Sequence, residues 1–230
     1  MNWYIATLFV NNYMSKVFFD IGANNGSWTR KVLNADPTAT VYVVEPTPFL
    51  LDKFLNKLAE QHKNNVVLIP KAIDVTPGEV KFNIAQGFDW GCSSIHEFSD
   101  GLDKTWRGRK DFKVTDTCMV DCVTMKSIVE QYGIEQIDFM HCDTQGNDLN
   151  VLLSFEDRVD TIQHGEIEVF TKNPLYKDVN NSLENVRTFL DQHEYDEVHL
   201  VPNEPRRQEW NIGFSKRGIG ALEFPQFNWR

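Results

Sequence analysis

The residues best suited to chemistry in this chain lie in a turn that contains two glycines and has an acidic residue on either side. Asp20 ends a short apolar run, and Gly22 and Gly26 follow it closely. Glu45 ends the next apolar run. Glycine lets the backbone approach a ligand closely, and a helix that begins after the turn aims its N–H groups at the same place. The pattern is typical of a nucleotide-cofactor site, and its structural alternative is an ordinary strand–turn–helix unit without a ligand.

The two acids narrow the choice of cofactor. A dinucleotide-binding turn has a glycine where this chain has Asn24, and a carboxylate at Asp20 would repel a pyrophosphate. The same carboxylate would suit the amino group of S-adenosylmethionine (SAM). Glu45 lies 25 residues after Asp20, where it would accept hydrogen bonds from both ribose hydroxyls. These features predict SAM as the cofactor and disfavour an NAD-dependent oxidoreductase.

A second group of polar residues, HCDTQGND (141–148), follows the fourth expected strand of the sheet. That strand lies beside the first in doubly wound folds, so its end faces the cofactor crevice. Alternation along the strand puts His141 and Asp143 on one side, where either could take a proton from an acceptor hydroxyl or orient it. A helix start capped by Asn147 or Asp148 is the structural alternative.

Two glutamates share one face of the fifth expected strand. Glu166 and Glu168 alternate along it, and we take Glu168 as a catalytic candidate, either as a base or as a metal ligand. Solvent-facing carboxylates are the competing interpretation. The four cysteines show no zinc-finger spacing, so a divalent metal is compatible with the acids but has no other support.

The elements that position these residues alternate between strands and helices. This alternation predicts an α/β fold with a doubly wound, mostly parallel sheet of seven strands and helices on both faces. Further strands are expected near 80–85 and at 115–123. The seven sheet strands are expected at 17–19, 41–45, 66–69, 137–142, 161–170, 198–201 and 212–215, with helices at 27–33, 48–62, 124–132, 149–155 and 183–193.

Length and charge bound the remaining possibilities. The chain has 230 residues, 41% of them hydrophobic, which suits one domain over 1–230 with an N-terminal arm (1–15) and a C-terminal tail (216–230). A net charge of −10 argues against a general binder of nucleic acids or anionic membranes. The apolar start is too short to span a bilayer and lacks a basic leader. With unpaired cysteines, these features predict a cytoplasmic location.

The stretch from 86 to 113 interrupts the alternation. It is locally basic in an acidic protein and contains Trp90 and Trp106. Long irregular segments in compact domains are usually functional, and the two tryptophans favour a lid that packs over the acceptor site. A solvated insertion is the alternative.

Together these segments resemble the FkbM-type SAM-dependent methyltransferases from about Val17 to Val169. The resemblance implies a Rossmann-like class I methyltransferase fold and O-methylation, often of a sugar or glycan hydroxyl. The partner would then be a small-molecule or glycan acceptor. The matching segments are DIGANNG (20–26), VVEPTP (43–48), KAIDVTPG (71–78), SSI (93–95), IDFMHCDTQGND (137–148) and EIEV (166–169).

The resemblance also implies roles for individual residues. The turn would hold the methionine part of SAM, the acid after the second strand the ribose, and two apolar residues the adenine. A serine would order the lid near the donor, and an acid and a glycine would stand at the donor–acceptor junction. The residues of the turn are Asp20, Gly22, Ala23, Asn24 and Gly26, and the acid that would hold the ribose is Glu45. Ala72 and Ile73 would lie against the adenine, and Ser94 would order the lid. Asp143 and Gly146 would stand at the donor–acceptor junction.

The chain departs from the family pattern at its fourth strand. The family usually has K-x-D-x-E-G there, whereas this chain has His141, Asp143 and Gln145. Two alternatives to a sugar O-methyltransferase follow. One is an RNA 2′-O-methyltransferase, which the acidic charge disfavours. The other is a SAM-binding or sugar-binding module without catalysis, which only the two substitutions support.

Overall fold

Seven strands form one sheet in the computed structural model of the chain, which describes residues 15–85, 90–106, 112–204, 206 and 208–220. Strands β4, β5 and β6 form a second, smaller sheet. The strands are β1 (Val17–Ile21), β2 (Thr40–Val44), β3 (Val66–Ile69), β4 (Ala72–Ile73), β5 (Gly78–Ala85), β6 (Val114–Val123), β7 (Phe139–Cys142), β8 (His164–Phe170), β9 (Tyr195–Pro202) and β10 (Glu209–Lys216).

The large sheet has the order β3–β2–β1–β7–β8–β10–β9. Its first five strands are parallel, and β10 runs antiparallel to both β8 and β9. The chain leaves β1 towards β2 and β3 and later returns to β7 on the other side of β1. The strand order therefore reverses between β1 and β7, which creates the crevice in which such sheets bind ligands.

Helices connect the strands and begin and end where the sequence signals them. The side chain of Thr124 accepts a hydrogen bond from the backbone N–H of Ser127, and Gly133 ends the same helix in the left-handed conformation. A π-helical turn, Leu51–Leu55, interrupts the helix predicted at 48–62. The helices are α1 (Ser27–Ala35), α2 (Pro48–Leu50), α3 (Asn56–Gln61), α4 (Leu102–Thr105), α5 (Met125–Tyr132), α6 (Asp148–Leu153) and α7 (Leu183–Gln192).

Apolar clusters cover both faces of the large sheet. On one face, α1 and α3 pack through Trp28, Val32 and Leu58 against Phe18 and Val43. On the other face, α5, α6 and α7 pack against the remaining inward side chains of the strands. Burial of this apolar surface is the main contribution to folding. The prediction of a seven-stranded, mostly parallel sheet with helices on both faces is confirmed.

The strands expected near 80–85 and 115–123 belong to the small sheet. β5 and β6 pair antiparallel along almost their whole length, and β4 adds to β6 in parallel. The sequence placed these two strands outside the seven-stranded sheet, but the pattern of a single strand does not reveal the partner with which it pairs. The segment between β5 and β6, the two long strands of the small sheet, is the whole predicted insertion (86–113).

Only part of the predicted insertion, 90–106 and 112–113, lies within the described residues. Trp106 is 1% exposed and packs with Leu175 and Tyr176, whereas Trp90 is 37% exposed. Most of the predicted arm (1–15) and most of the predicted tail (216–230) lie outside the described residues. Within the described ranges, no helix is both long enough and apolar enough to cross a membrane.

Candidate active site

A cavity of about 370 Å³ lies beyond the carboxyl ends of β1, β2, β7 and β8, at the reversal of the strand order. Ligands of open α/β sheets bind in this position. Side chains from both sides of the reversal line it, so the cavity can bring two ligands together. The sequence-predicted residues on its wall are Gly22, Asn24, Glu45, Ala72, Ile73, Asp143 and Glu168.

The turn after β1 packs directly against the turn after β7. The backbone N–H groups of Gly22 and Ala23 donate to the carbonyl oxygen of Val44 at 2.9 and 3.1 Å. Gly22 has a φ of +79°, and a Cβ at this residue would stand 1.9 Å from the carbonyl oxygen of Asp143. Glycine is therefore required at position 22, and the close approach brings the two halves of the site together.

Glu45 presents a buried carboxylate to the cavity. Its Oε2 accepts from the N–H of Asn24 and its Oε1 from the N–H of Thr47, both at 2.9 Å. Burial raises the pKa of Glu45, while the hydrogen bonds from Thr47 and Asn24 oppose that rise. A carboxylate oxygen accepts more than one hydrogen bond, so Glu45 retains acceptor capacity for two ligand hydroxyls.

Asp20 lies beneath the cavity and not on its wall, and its role in holding the cofactor stays a prediction. Its Oδ2 accepts from the backbone N–H and the hydroxyl of Thr29 at 3.2 and 2.5 Å. Its Oδ1 lies 3.1 Å from Nδ1 of His141. Asp20 is fully buried, so its carboxylate fastens the start of α1 to the end of β1 and shapes the turn between them.

His141 is also absent from the cavity wall, and its catalytic role stays a prediction. Its ring stacks on Trp28 with a centroid distance of 5.0 Å. Burial lowers the pKa of His141, but the hydrogen bond to Asp20 and the charges of Asp20, Asp143 and Glu166 outweigh burial and raise it. The imidazole therefore acts as the positive partner of the buried Asp20 carboxylate.

The Asp20–His141 pair begins a line of charged side chains across the sheet, which we call the polar row. The strand register places Asp20, His141, Glu166, Gly213 and His199 side by side. Nε2 of His199 lies 2.7 Å from Oε2 of Glu166, and this hydrogen bond raises the pKa of His199. Gly213 leaves the space for it, because a Cβ there would stand 2.0 Å from the imidazole. Acidic and basic groups therefore alternate along the row.

The side-chain amide of Gln145 lies between two acids, Asp143 directly after β7 and Glu168 on β8. Nε2 of Gln145 donates to Asp143 Oδ1 at 2.6 Å and lies 3.5 Å from Glu168 Oε2. Oε1 of Gln145 accepts from the hydroxyl of Tyr176 at 2.8 Å. Gln145 has a φ of +57°, which is uncommon for a residue with a Cβ. The loop therefore fixes a neutral donor between two carboxyl groups at the cavity wall. Asn203 donates a further hydrogen bond to Glu168.

The carboxyl groups of this half of the site differ in their affinity for a proton. Burial raises the pKa of Glu168 well above its usual range, and the negative charges of Asp143, Glu209 and Asp148 raise it further. Like charges that share a site cannot all ionise, and the proton stays on the most buried group. Burial and the neighbouring charges therefore favour the protonated form of Glu168.

Ser94 and Tyr176 lie behind this wall and tie it to the insertion. Ser94 Oγ donates to the carbonyl oxygen of Gln145 at 2.8 Å, and the Tyr176 hydroxyl lies 2.9 Å from the carbonyl oxygen of Cys92. Ser94 therefore contacts the loop after β7 from behind the cavity wall, and its role in ordering the lid near the donor stays a prediction. Ala23 and Gly26 shape the turn without lining the cavity. Sequence reasoning missed Tyr176, which no motif marks.

The strand order, with the antiparallel β10 between β8 and β9, is that of the class I methyltransferases. Residues 20–197 match the family described as "Methyltransferase FkbM domain", and the chain belongs to that family. This match confirms the resemblance read from the sequence and the prediction of a methyltransferase.

Several solved structures are similar to this chain at low identity. M. capricolum TrmK in complex with S-adenosylhomocysteine is 14% identical with a TM-score of 0.43, and the match covers 91% of this chain and 68% of that one. A precorrin-6y C5,15-methyltransferase from Geobacter metallireducens is 15% identical with a TM-score of 0.44, covering 88% and 80%. An rRNA methylase from Streptococcus thermophilus is 13% identical with a TM-score of 0.44, covering 88% and 87%. The comparison with curated proteins gives no match.

Proposed function

We propose that the protein transfers a methyl group from SAM to a hydroxyl on a sugar or glycan. The supporting observation is the single cavity that joins the turn after β1 to the acids after β7 and on β8. A methyl donor bound at the turn after β1 would lie next to an acceptor bound at the acids after β7 and on β8. Alignment of two reactants in this way contributes up to about 7–11 kcal/mol to such a reaction.

The donor half fits SAM by the chemistry of its residues. Glu45 keeps one acceptor position on each oxygen for the two ribose hydroxyls. Ala72 and Ile73 offer apolar surface to an adenine, and the turn at Gly22 and Asn24 offers backbone to the methionine part. Asp20 supports that turn from beneath through its hydrogen bonds to Thr29.

The acceptor half supplies a base. SAM carries a methyl group that is already activated: its sulfur keeps the electron pair of the breaking C–S bond while the carbon bonds to the acceptor oxygen. The proton of that hydroxyl then passes to Asp143, whose carboxylate Gln145 orients at 2.6 Å. Glu168, which favours its protonated form, positions the acceptor through hydrogen bonds. His141 acts through Asp20 as a positioning residue.

Binding of S-adenosylhomocysteine tests the donor half. We expect the purified protein to bind it in calorimetry and Glu45→Gln to weaken binding about tenfold to hundredfold, because hydrogen bonds to a charged acceptor are lost. Glu60→Gln, at an exposed site on α3, is the matched control and should bind like the wild type. Binding of NADH without binding of S-adenosylhomocysteine would contradict the proposal.

Methyl transfer tests the acceptor half. Incubation with labelled SAM and a panel of sugars and glycans should label at least one hydroxyl-bearing acceptor. A protein that binds S-adenosylhomocysteine yet labels none of the panel would overturn the assignment to sugars. Labelling of RNA whose efficiency falls steeply with salt would replace the sugar by RNA as the acceptor.

A further inference from the structure

An aromatic pair joins the insertion to the donor side of the cavity. Trp90 begins a short 3₁₀ turn of the insertion (Trp90–Cys92) and lines the cavity. Its ring meets the ring of Phe49 edge to face, with a centroid distance of 5.3 Å and an interplanar angle of 62°. Phe49 belongs to α2, the helix that follows β2. The insertion therefore reaches the element that comes directly after the proposed ribose site.

The position of α2 places this pair at the nucleoside end of the donor half. Phe49 lies four residues after Glu45, the acid proposed to hold the ribose. Leu50, the next residue of α2, lines the cavity, as do Ala72 and Ile73, which we propose for the adenine. A ring in contact with Phe49 is therefore close to the parts of the wall that would hold the ribose and the adenine.

Both rings of the pair are more exposed than large apolar side chains usually are. Trp90 is 37% exposed and Phe49 is 46% exposed. Small-molecule sites typically bury about 70–90% of the surface of their ligand. A flat nucleoside and an exposed indole at the cavity would both lose contact with water by lying against each other, and aromatic rings attract one another in offset or edge-to-face contact.

A lysine braces the two rings from α2's side. The ammonium group of Lys53, in the π-helical turn after α2, lies 4.8 Å from the ring centroid of Trp90 and 5.0 Å from that of Phe49. A cation at this distance from an aromatic face is attracted by it. The ring of Trp90 therefore has contacts that hold it beside α2.

The backbone of the turn is fixed as well. The carbonyl oxygen of Trp90 accepts from the N–H and the hydroxyl of Ser93 at 3.2 and 2.9 Å, and Ser93 Oγ accepts from the N–H of Ala85 at 3.1 Å. At the other end of the turn, the Tyr176 hydroxyl lies 2.9 Å from the carbonyl oxygen of Cys92. A side chain on a turn held in this way loses little conformational freedom when a ligand binds, which favours affinity.

From these contacts we infer that Trp90 is a cofactor-binding residue, whose ring covers the nucleoside part of bound SAM while Phe49 and Lys53 hold the ring in place. The inference rests on the proposed function, because it needs SAM in the donor half. It gives the first turn of the insertion a task at the donor, in contrast to a cover over the acceptor alone.

Binding of S-adenosylhomocysteine to matched variants tests this role. We expect Trp90→Ala to weaken binding about tenfold, mainly through faster dissociation, because the cover is lost. Trp90→Phe keeps an aromatic ring and should retain most of the affinity. Tyr132→Ala is the matched control: Tyr132 is 39% exposed, meets the ring of Tyr42 edge to face at 5.2 Å and is not among the lining residues. Calorimetry and stopped-flow measurements give the affinity and the dissociation rate.

The outcomes separate this inference from the proposed function. Wild-type binding that Trp90→Ala leaves unchanged would overturn the inference and leave the donor site intact, and so would an equal loss in Tyr132→Ala. A raised KM for the acceptor with unchanged affinity for S-adenosylhomocysteine would place Trp90 at the acceptor and overturn it too. A wild type that does not bind S-adenosylhomocysteine would overturn both.

Tryptophan emission provides a test that does not depend on a loss of affinity. We expect S-adenosylhomocysteine to change the emission of the wild type, because the exposed indole of Trp90 becomes covered. Trp90→Phe, measured at saturating ligand, should lose most of that change. An emission change of the same size in Trp90→Phe, or none in the wild type, would contradict contact between Trp90 and the cofactor.

Discussion

Asp143 carries the proton transfer in the proposed reaction. It lies at the cavity wall, directly after β7, and its carboxylate is held by the amide of Gln145. Burial and nearby negative charges raise the pKa of the neighbouring Glu168 and favour its protonated form. The two acids therefore have different tasks, although the sequence presents both simply as carboxylates at strand ends.

We expect Asp143→Asn to lower kcat by about 10²- to 10⁴-fold, the usual contribution of a positioned base. Affinity for S-adenosylhomocysteine should stay within about twofold, since the contacts of Glu45 are untouched. Single-turnover transfer to the best acceptor and calorimetry measure the two quantities. Asp116→Asn, at an exposed position on β6, is the control. An unchanged kcat in Asp143→Asn would remove Asp143 from the mechanism.

The sequence predicted the residues on the cavity wall better than it predicted the contacts that hold those residues in place. Gly22, Glu45 and Asp143 follow strands at the reversal of strand order, so motif and topology suffice to place them. The hydrogen bond between Asp20 and Thr29 was not predicted, because strand alternation does not reveal which side chain of the next helix reaches the carboxylate. Tyr176 was missed because its bond to Gln145 spans 31 residues and depends on the tertiary fold.

At the scale of elements, β10 pairs with both β8 and β9, and a glycine in each pairing leaves room for a side chain of the neighbouring strand. Gly165 of β8 faces Phe214, and Gly213 of β10 faces His199. Phe214 is 1% exposed and enclosed by the core, whereas the side chain of His199 is 35% exposed. The same added methyl group therefore meets a rigid neighbour at Gly165 and a movable one at Gly213.

We expect Gly165→Ala to lower the free energy of unfolding by about 1–3 kcal/mol, because its Cβ would stand 2.3 Å from the Phe214 ring in a packed core. Gly213→Ala should cost less, since His199 can swing towards solvent, but it should also break the His199–Glu166 hydrogen bond. Urea unfolding of both variants and NMR titration of His199 measure these effects. Equal loss in both variants would contradict the difference in rigidity.

Elements with local signals were predictable, whereas the pairing of β4, β5 and β6 into a second sheet was not. The cap at Thr124 and the left-handed Gly133 fixed the bounds of α5 from the sequence alone. Strand β5 gave the correct local pattern, but its pairing with β6 joins residues separated by the whole insertion. Pairing over such a distance depends on which surfaces the finished core leaves available.

At the scale of the whole molecule, buried ionisable groups make stability depend on pH. The protein has a net charge of −10, and several of its acids are buried near one another. His141 and His199 have raised pKa values in the fold, so their pairs stabilise it at mildly acidic pH. That contribution is complete below the unfolded pKa and is lost as the pH rises through the folded pKa.

Asp148 adds to this pH dependence of stability, and its contribution can be measured separately. Burial, followed by the charge of Asp143, raises its pKa to about 7. The folded state therefore binds a proton that the unfolded state releases near pH 4, and stability falls as the pH rises from about 4 to 7.

We expect the wild type to lose about 2 kcal/mol more between pH 5 and pH 7 than Asp148→Asn, which cannot titrate. The asparagine keeps an oxygen for the N–H of Thr144, which donates to Oδ1 of Asp148 at 3.2 Å. Urea unfolding at each pH measures the difference, and the histidine pairs cancel because both proteins contain them. Parallel pH profiles would show that Asp148 ionises normally in the fold.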